Sequence, residues 1–523
     1  MKMGFPAGSG RCGKSAAFLA LLLMAGCGED RQKEADAIAK GIEGYLALME
    51  DPAQPVRLHH DKVAVMPNED GKSFSVAITG LRYGMDATPG ATIGEIDYRL
   101  TPEDSNTYRV DDLKAPTEFP LLGAGGKALM TFKMETTAFS ALWSSPLRNF
   151  LKLDWAARNL AIREANADAD SVSAGAMEMK ADGKESGNGR IDETTAMAVD
   201  NIAGANPETG AKFTLSHLTG TFGVEGLDGQ AYMQQITKLR DVFRKMAASA
   251  ESAPAAAGPD PATAPAAQPL TSEDSKALAE ALRALPKVVS SYHYDLDALG
   301  WVVTAPDGSP QVQVEKAGMG FAIKGIDTDK AEIDFGIHHD GLGLAGPIFQ
   351  DPAAKALLPK SSSISLAATD LPVPALVEAV AGAIPDLTSP DPNTAAGGKM
   401  EIAGALMSAL AKSDIKLSIE PSKLDTEIAH LAADGDLKLA LQSPLKAVGA
   451  VNLALVGLDD IIALANSEAQ DHPQAAGAIG MLQMVQSYAK RETGADGKPV
   501  DKFKIDLGAS GAITINDKPL NGL

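Results

Sequence analysis

From Phe74 almost to the C-terminus, apolar and polar residues alternate in segment after segment, and a period of two is the pattern of a half-buried strand. Between Lys72 and Leu81 the apolar positions are Phe74, Val76 and Ile78. Similar pieces run over Thr131–Met134, Leu151–Ile162, Ser171–Met179, Ile191–Ile202 and Phe213–Val224. They resume over Tyr292–Val303, Gln311–Lys316, Gly320–Ile323 and Glu332–Ile337. Turn-forming runs punctuate them: Pro67-Asn68-Glu69-Asp70-Gly71, Ala181-Asp182-Gly183 and Gly187-Asn188-Gly189. Phe503–Leu507 and Ile513–Asp517 read as a terminal hairpin. Strands with one apolar and one polar face build antiparallel sheet.

Helical periodicity is rarer. Over 31–49, Ile38, Ile42, Tyr45 and Met49 share one face. A second seam, Tyr232, Ile236, Leu239, Phe243 and Met246, predicts a helix from about Gln230 to Ala248. Ala250–Pro269 then holds nine Ala and five Pro, the composition of an extended linker. Thr271 or Ser272 can cap the next helix, with Asp274 in its first turn, Leu278, Leu282 and Leu285 as its stripe and Pro286 as its stop. Further helices are expected near Val373–Ala383, Lys399–Ala411 and Pro473–Lys490. The expected fold is α+β: predominantly antiparallel sheets with amphipathic helices packed on one face, repeated in two halves. The expected division is 1–26, 27–249, 250–270 and 271–523. A helical hairpin with a loose tip at 250–270 is the alternative to a domain boundary there.

A short pattern links the halves. Apolar-x-apolar-x-Gly-Leu/Ile occurs at Val76/Ile78/Gly80/Leu81, Phe222/Val224/Gly226/Leu227, Phe321/Ile323/Gly325/Ile326 and Leu453/Leu455/Gly457/Leu458. Asp228, Asp327 and Asp459 follow three of the four. A strand broken by Gly at a bulge, then an Asp placed to cap a helix, accounts for it.

Residues 1–26 read as an export signal. Lys2, Arg11 and Lys14 precede the apolar run Ala16–Met24, which is too short for a permanent span. Met24-Ala25-Gly26-Cys27 resembles the lipobox of bacterial lipoproteins, which implies cleavage before Cys27 and a lipid anchor on its sulfur. An ordinary cleaved signal is the plainer alternative. The expected location is the bacterial cell envelope, facing the periplasm, with the membrane unassigned. Cys12 and Cys27 are the only cysteines, which excludes a disulfide scaffold and a cysteine-ligated metal.

The chain of 523 residues carries a net charge of −21, and −24 without residues 1–26. Such a surface repels phosphate backbones, so nucleic acid is excluded as a partner. Hydrophobic residues make up 45%, enough for real cores, while aromatics at 5% argue against a stacking surface.

Catalytic patterns are absent or out of context. Gly8–Ser15 matches a phosphate-binding loop but lies in the signal, with no strand before it. His59-His60 and His338-His339 are neighbours on strands, whose side chains point to opposite faces and cannot easily share a metal. Asp182–Glu193 has the Asp, Gly and Glu of a calcium loop, but Lys184 stands where an oxygen ligand belongs, and it reads as a hairpin turn. Gly508–Ala512 lacks the last glycine of a nucleophile elbow. No catalytic residue, cofactor or metal site is assigned.

The C-terminal part carries a family resemblance. Leu453-Ala454-Leu455-Val456-Gly457-Leu458 leads into Gly480-Met481-Leu482-Gln483-Met484, then Phe503-Lys504-Ile505-Asp506 and Gly511-Ala512-Ile513-Thr514-Ile515-Asn516. This succession resembles the tail of an uncharacterised alphaproteobacterial envelope family, domain of unknown function 2125. Ser363-Ile364-Ser365-Leu366 with Asp370-Leu371-Pro372 is similar to an element preceding it. The resemblance covers about 290–523, and 31–290 more loosely; domain of unknown function 945 is the next most similar. It implies an envelope location and a β-rich repeated build, and brings no catalytic residues. The function expected is a non-catalytic lipoprotein holding a lipid or other apolar ligand in a sheet-lined groove. A structural or assembly role through contacts with envelope proteins is the alternative.

Overall fold

The computed structural model describes residues 28–50, 56–242 and 271–520, apart from scattered positions and short stretches such as 346–350 and 472–474. The signal, the phosphate-loop pattern, Cys27 and the linker at 250–270 lie outside the described residues, as does much of the helix expected over 230–248. The chain forms two compact units that divide between Trp155 and Ala156.

The first unit contains α1 (Gly28–Glu50), β1 (Val56–His59), β2 (Lys62–Pro67), β3 (Phe74–Met85), β4 (Thr88–Pro102), β5 (Thr107–Lys114), β6 (Glu118–Leu122) and β7 (Ala128–Ser144). β8 (Asn149–Glu164) contains the division. β1 and β2 share one edge of β3; β4 follows on its other edge, then β5 and β6, then β7, all antiparallel. The alternation of β3 puts Phe74, Val76 and Ile78 into the core beside Val63 and Val65 of β2. α1 covers this core with Ala35 and Leu46 buried and Ile38 and Ile42 packed against it. The Arg31 guanidinium stands 4.2 Å from the Phe74 ring centroid, and Tyr45 meets Trp143 edge to face at 5.2 Å.

The second unit contains β9 (Val172–Gly187), β10 (Arg190–Ala205), β11 (Lys212–Leu227), α2 (Ser272–Val288), β12 (Ser291–Thr304), β13 (Pro310–Lys324), β14 (Ala331–Asp340), β15 (Gly343–Leu344), α3 (Pro352–Leu357) and β16 (Ser361–Leu371). After these come α4 (Val373–Leu387), α5 (Pro392–Ala411), β17 (Lys416–Asp425), β18 (His430–Leu439), β19 (Ala447–Val456), α6 (Leu458–Asp471), α7 (Ala475–Tyr488), β20 (Lys490–Thr493), β21 (Pro499–Leu507), β22 (Ile513–Ile515) and β23 (Lys518–Pro519). The long strands pair antiparallel in the order β9-β10-β11-β12-β13-β14-β16-β17-β18-β19-β21. β15 extends the edge of β13 beyond β14, and β20 and β22 share the far edge of β21.

The unit boundary does not coincide with the one expected at 250–270. β11 precedes those residues and β12 follows them, yet the two pair from Lys212↔Thr304 to Glu225↔Ser291. Composition marks where backbone has little to bury; it does not register that flanking strands pair across it.

Local signals fare well. Asn188 and Gly189 both have positive φ and close β9 onto β10 with Gly187 opposite Arg190, the two-residue turn that suits strand twist. Ala181-Asp182-Gly183 is different: it lies inside β9, paired with Thr195, Thr194 and Glu193, because a full ladder outweighs a weak turn preference. The calcium-like pattern is therefore strand and hairpin. Thr271 caps α2, accepting from the Asp274 amide at 3.1 Å. Pro286 does not stop that helix; it occupies the last turn, and the Val288 carbonyl accepts from the Asp228 amide at 2.9 Å. All four repeated glycines, Gly80, Gly226, Gly325 and Gly457, have positive φ. Asp228 does cap, its Oδ1 accepting from the Ala231 amide at 2.9 Å, whereas Asp459 sits inside the first turn of α6.

The helices of the second unit occupy strand connections. α2 and α4 meet through Ala279, Ala381 and Ile384, with Arg283 donating twice to Glu378 at 2.7 and 2.9 Å. α2, α4 and α5 lie at the end of the sheet where β11 and β16 finish; α6 and α7 lie at the opposite end, where β19 finishes. Among the described residues no helix is long and apolar enough to cross a membrane.

Candidate apolar binding face

Residues directly opposite in a ladder project from the same face, so the register can be followed from strand to strand. Starting at Phe222 of β11, the partner on β12 is Tyr294, then Phe321, Phe335, Leu366 and Ile419 on successive strands. The row continues through Gly435, Val451 and Ile505. A second row runs Met197, Gly220, Leu296, Met319, Ile337 and Ile364. One face of the second unit is thus apolar across many consecutive strands. Rings neighbour one another along it: Phe222 and Tyr292 lie edge to face at 5.1 Å, and Tyr292 and Phe321 are tilted with centroids 6.3 Å apart.

The rows between project to the other face and are polar. Thr221, Asp295, Gly320, Gly336 and Ser365 form one; Thr219, Asp297, Gly318, His338 and Ser363 form the next. There His338 Nε2 stands 3.0 Å and Lys316 Nζ 3.6 Å from Asp297 Oδ1. A side chain at Gly318 would overlap Asp297 and His338, so the glycine is what lets this cluster lie flat. His338 and His339 do take opposite faces: His339 pairs with Ala317 and Ser362 on the apolar side.

The parity of the apolar positions changes along these strands. In β12 it runs Tyr294, Leu296, Ala298 and then Trp301, Val303; in β10 it runs Met197, Val199 and then Ile202. The changes fall at Gly300 and Asn201, which have φ of 66° and 54°, and β8 has Asn159 at 54°. The ladders keep register through both positions, with Leu299 opposite His217 and then Trp301 opposite Leu215. Asn201 and Gly300 both lie level with Ser216 of β11.

Large side chains of this face are exposed: Met319 is 41% exposed and Leu366 44%, with Phe222, Phe335, Ile337, Ile364 and Leu417 similar. Seven large side chains at such exposure amount to about 500 Å² of apolar surface, in the upper part of the range for a monomer. Eleven strands at a spacing of about 4.8 Å span about 48 Å, and a 14-residue strand is about 46 Å long. Both dimensions exceed the ~15 Å depth of one bilayer leaflet's hydrocarbon.

Elsewhere, charged side chains tie elements together. Asp501, 1% exposed, accepts from Arg491 at 2.8 and 2.9 Å, and Arg491 also donates to Asp459 at 2.9 Å. The hydrogen bonds it donates to Asp501 and then Asp459 raise the Arg491 pKa, and the clamp ties α6 to β21. The Glu50 carboxylate accepts from the His60 amide at 2.9 Å and lies 2.7 Å from its ring nitrogen. Gly508–Ala512 is the turn joining β21 to β22. Among the described residues no group of three or more His, Cys, Asp or Glu could hold a metal.

Of the three tryptophans, Trp301 lies in β12 opposite Leu215 and Val314. Trp143 packs with Tyr45 and Phe150 in the first unit, and Trp155 Nε1 donates to Thr136 Oγ1 at 3.4 Å. No protein-family model, curated protein or solved structure matches this chain.

Proposed function

We propose that the chain is a non-catalytic envelope lipoprotein, anchored through Cys27 and facing the periplasm, that holds the acyl chains of a lipid on the apolar face of its second unit. The observation that carries this reading is the row from Phe222 to Ile419, apolar on six successive strands, with Phe222, Phe335 and Leu366 exposed. A face of this size costs free energy in water unless something apolar lies on it. The acidic chain disfavours recognition of an anionic headgroup, so the ligand is held by its tails. Kinship with domain of unknown function 2125, including its repeated halves with helices on one face, belongs to the same proposal.

The test is native mass spectrometry of the chain from Gly28 onward, purified from its own host without detergent, with solvent extraction of the same sample. Co-purifying lipid is the expected result. No lipid, together with no response of Trp301 emission to added fatty acid or phospholipid, would refute the reading and favour a role through protein contacts.

A further inference from the structure

We infer that α5 and α7, at opposite ends of the second unit's sheet, are the surfaces through which it touches lipid bilayers. This rests on the acyl-chain reading of the face between them. Charged residues make up 22% of the chain, yet the 14 residues of α7 include none, and α5 has only Lys399 and Glu401, which cancel. Both helices expose large apolar side chains. Met400 of α5 is 78% exposed and Met407 is 45%; on α7, Met481 is 65% exposed and Met484 44%. Met400 and Met407 are seven residues apart, and Met481, Met484 and Val485 follow the three-and-four spacing of one helix face.

Charge decides the occupant. An acidic molecule is repelled by anionic surfaces, and these two helices, having no net charge, are where it can meet a zwitterionic bilayer with the least desolvation of charged side chains. Methionine is the flexible apolar residue, suited to a fluid surface that offers no fixed shape. Position agrees. α5 leads into β17 at one end of the strands, and α6–α7 leave β19 at the other, so a lipid moving along these strands onto or off the face approaches one of these helices. Their immersion would be interfacial, since neither is both long and apolar enough to span.

The experiment is flotation of the chain from Gly28 onward with phosphatidylcholine vesicles. It compares wild type, the pair Met400→Asp/Met407→Asp, the pair Met481→Asp/Met484→Asp, and all four together. These side chains are exposed, so the fold should survive, which circular dichroism checks. Wild type should float, each pair should float less, and the fourfold variant should partition about a hundredfold more weakly. Lipid already carried on the sheet should be unchanged in all four. A fourfold variant that floats like wild type, or a wild type that does not float, overturns the inference. So does a wild-type dimer that these substitutions dissociate, which would assign the helices to a second copy. Flotation without any co-purifying lipid would sink the acyl-chain reading while supporting the bilayer contact.

Discussion

Replacing Phe335 by Gln should remove lipid binding while leaving the second unit folded. Phe335 stands in the middle of the apolar row, with Phe321 on one side and Leu366 on the other. It is 37% exposed, which for a side chain of about 200 Å² leaves about 75 Å² for a ligand to cover. At about 25 cal/mol per Å² that is about 2 kcal/mol, or about a thirtyfold loss of affinity. Adding Leu366→Gln, 44% exposed and directly opposite, should bring the loss to about a thousandfold. Gln keeps much of the volume, so the cost to folding stays below that of truncating a fully buried Phe, about 3–5 kcal/mol. The assay is Trp301 emission under lipid titration, in a background of Trp143→Phe and Trp155→Phe so that one indole reports. Asp295→Asn is the control. Asp295 is adjacent to Tyr294 in β12 but projects from the polar face. Unchanged affinity in Phe335→Gln/Leu366→Gln, or an equal loss in Asp295→Asn, would refute the assignment of the face.

Cys27→Ser should release the protein from the membrane pellet on envelope fractionation and abolish incorporation of labelled fatty acid. Limited proteolysis should cut within 250–270, yet the two fragments should co-elute in size-exclusion chromatography, because β11 and β12 pair along their length; fragments that separate without denaturant would contradict the pairing. Gly300→Val should destabilise the second unit by about 2–3 kcal/mol in urea unfolding, since φ is 66° and the new side chain would overlap the Ser216 hydroxyl. Asp70 has its pKa held at about 2 by the hydrogen bond from Ser73 Oγ and then by the Lys72 and Ser73 amides. Its contribution to the turn is full above the ordinary value of 3.8 and is lost as pH falls through about 2. A chemical-shift titration of Ser73 should therefore show its midpoint near 2, and a midpoint near 3.8 would contradict the bonding.

Alternation, turn chemistry and caps are local properties, and the sequence determined them. A strand's two faces are set by side chains two residues apart, which is why Phe74, Val76 and Ile78 enter the core together. The Asn188-Gly189 turn and the Thr271 cap need only neighbours within a few residues. The same holds for the four glycines with positive φ, Gly80, Gly226, Gly325 and Gly457, legible as interruptions of alternation. The candidate face was not legible, because it is a property of register. Phe222 and Ile419 are nearly two hundred residues apart and share a row only because five successive ladders align them. That Asn201 and Gly300 stand at one level of the sheet is likewise known only once β10, β11 and β12 lie side by side. The pairing across 250–270 was not legible either. Composition reads those residues as a domain boundary or the tip of a helical hairpin, whereas a ladder between β11 and β12 satisfies more than a dozen residues' backbone groups, and no local signal records that.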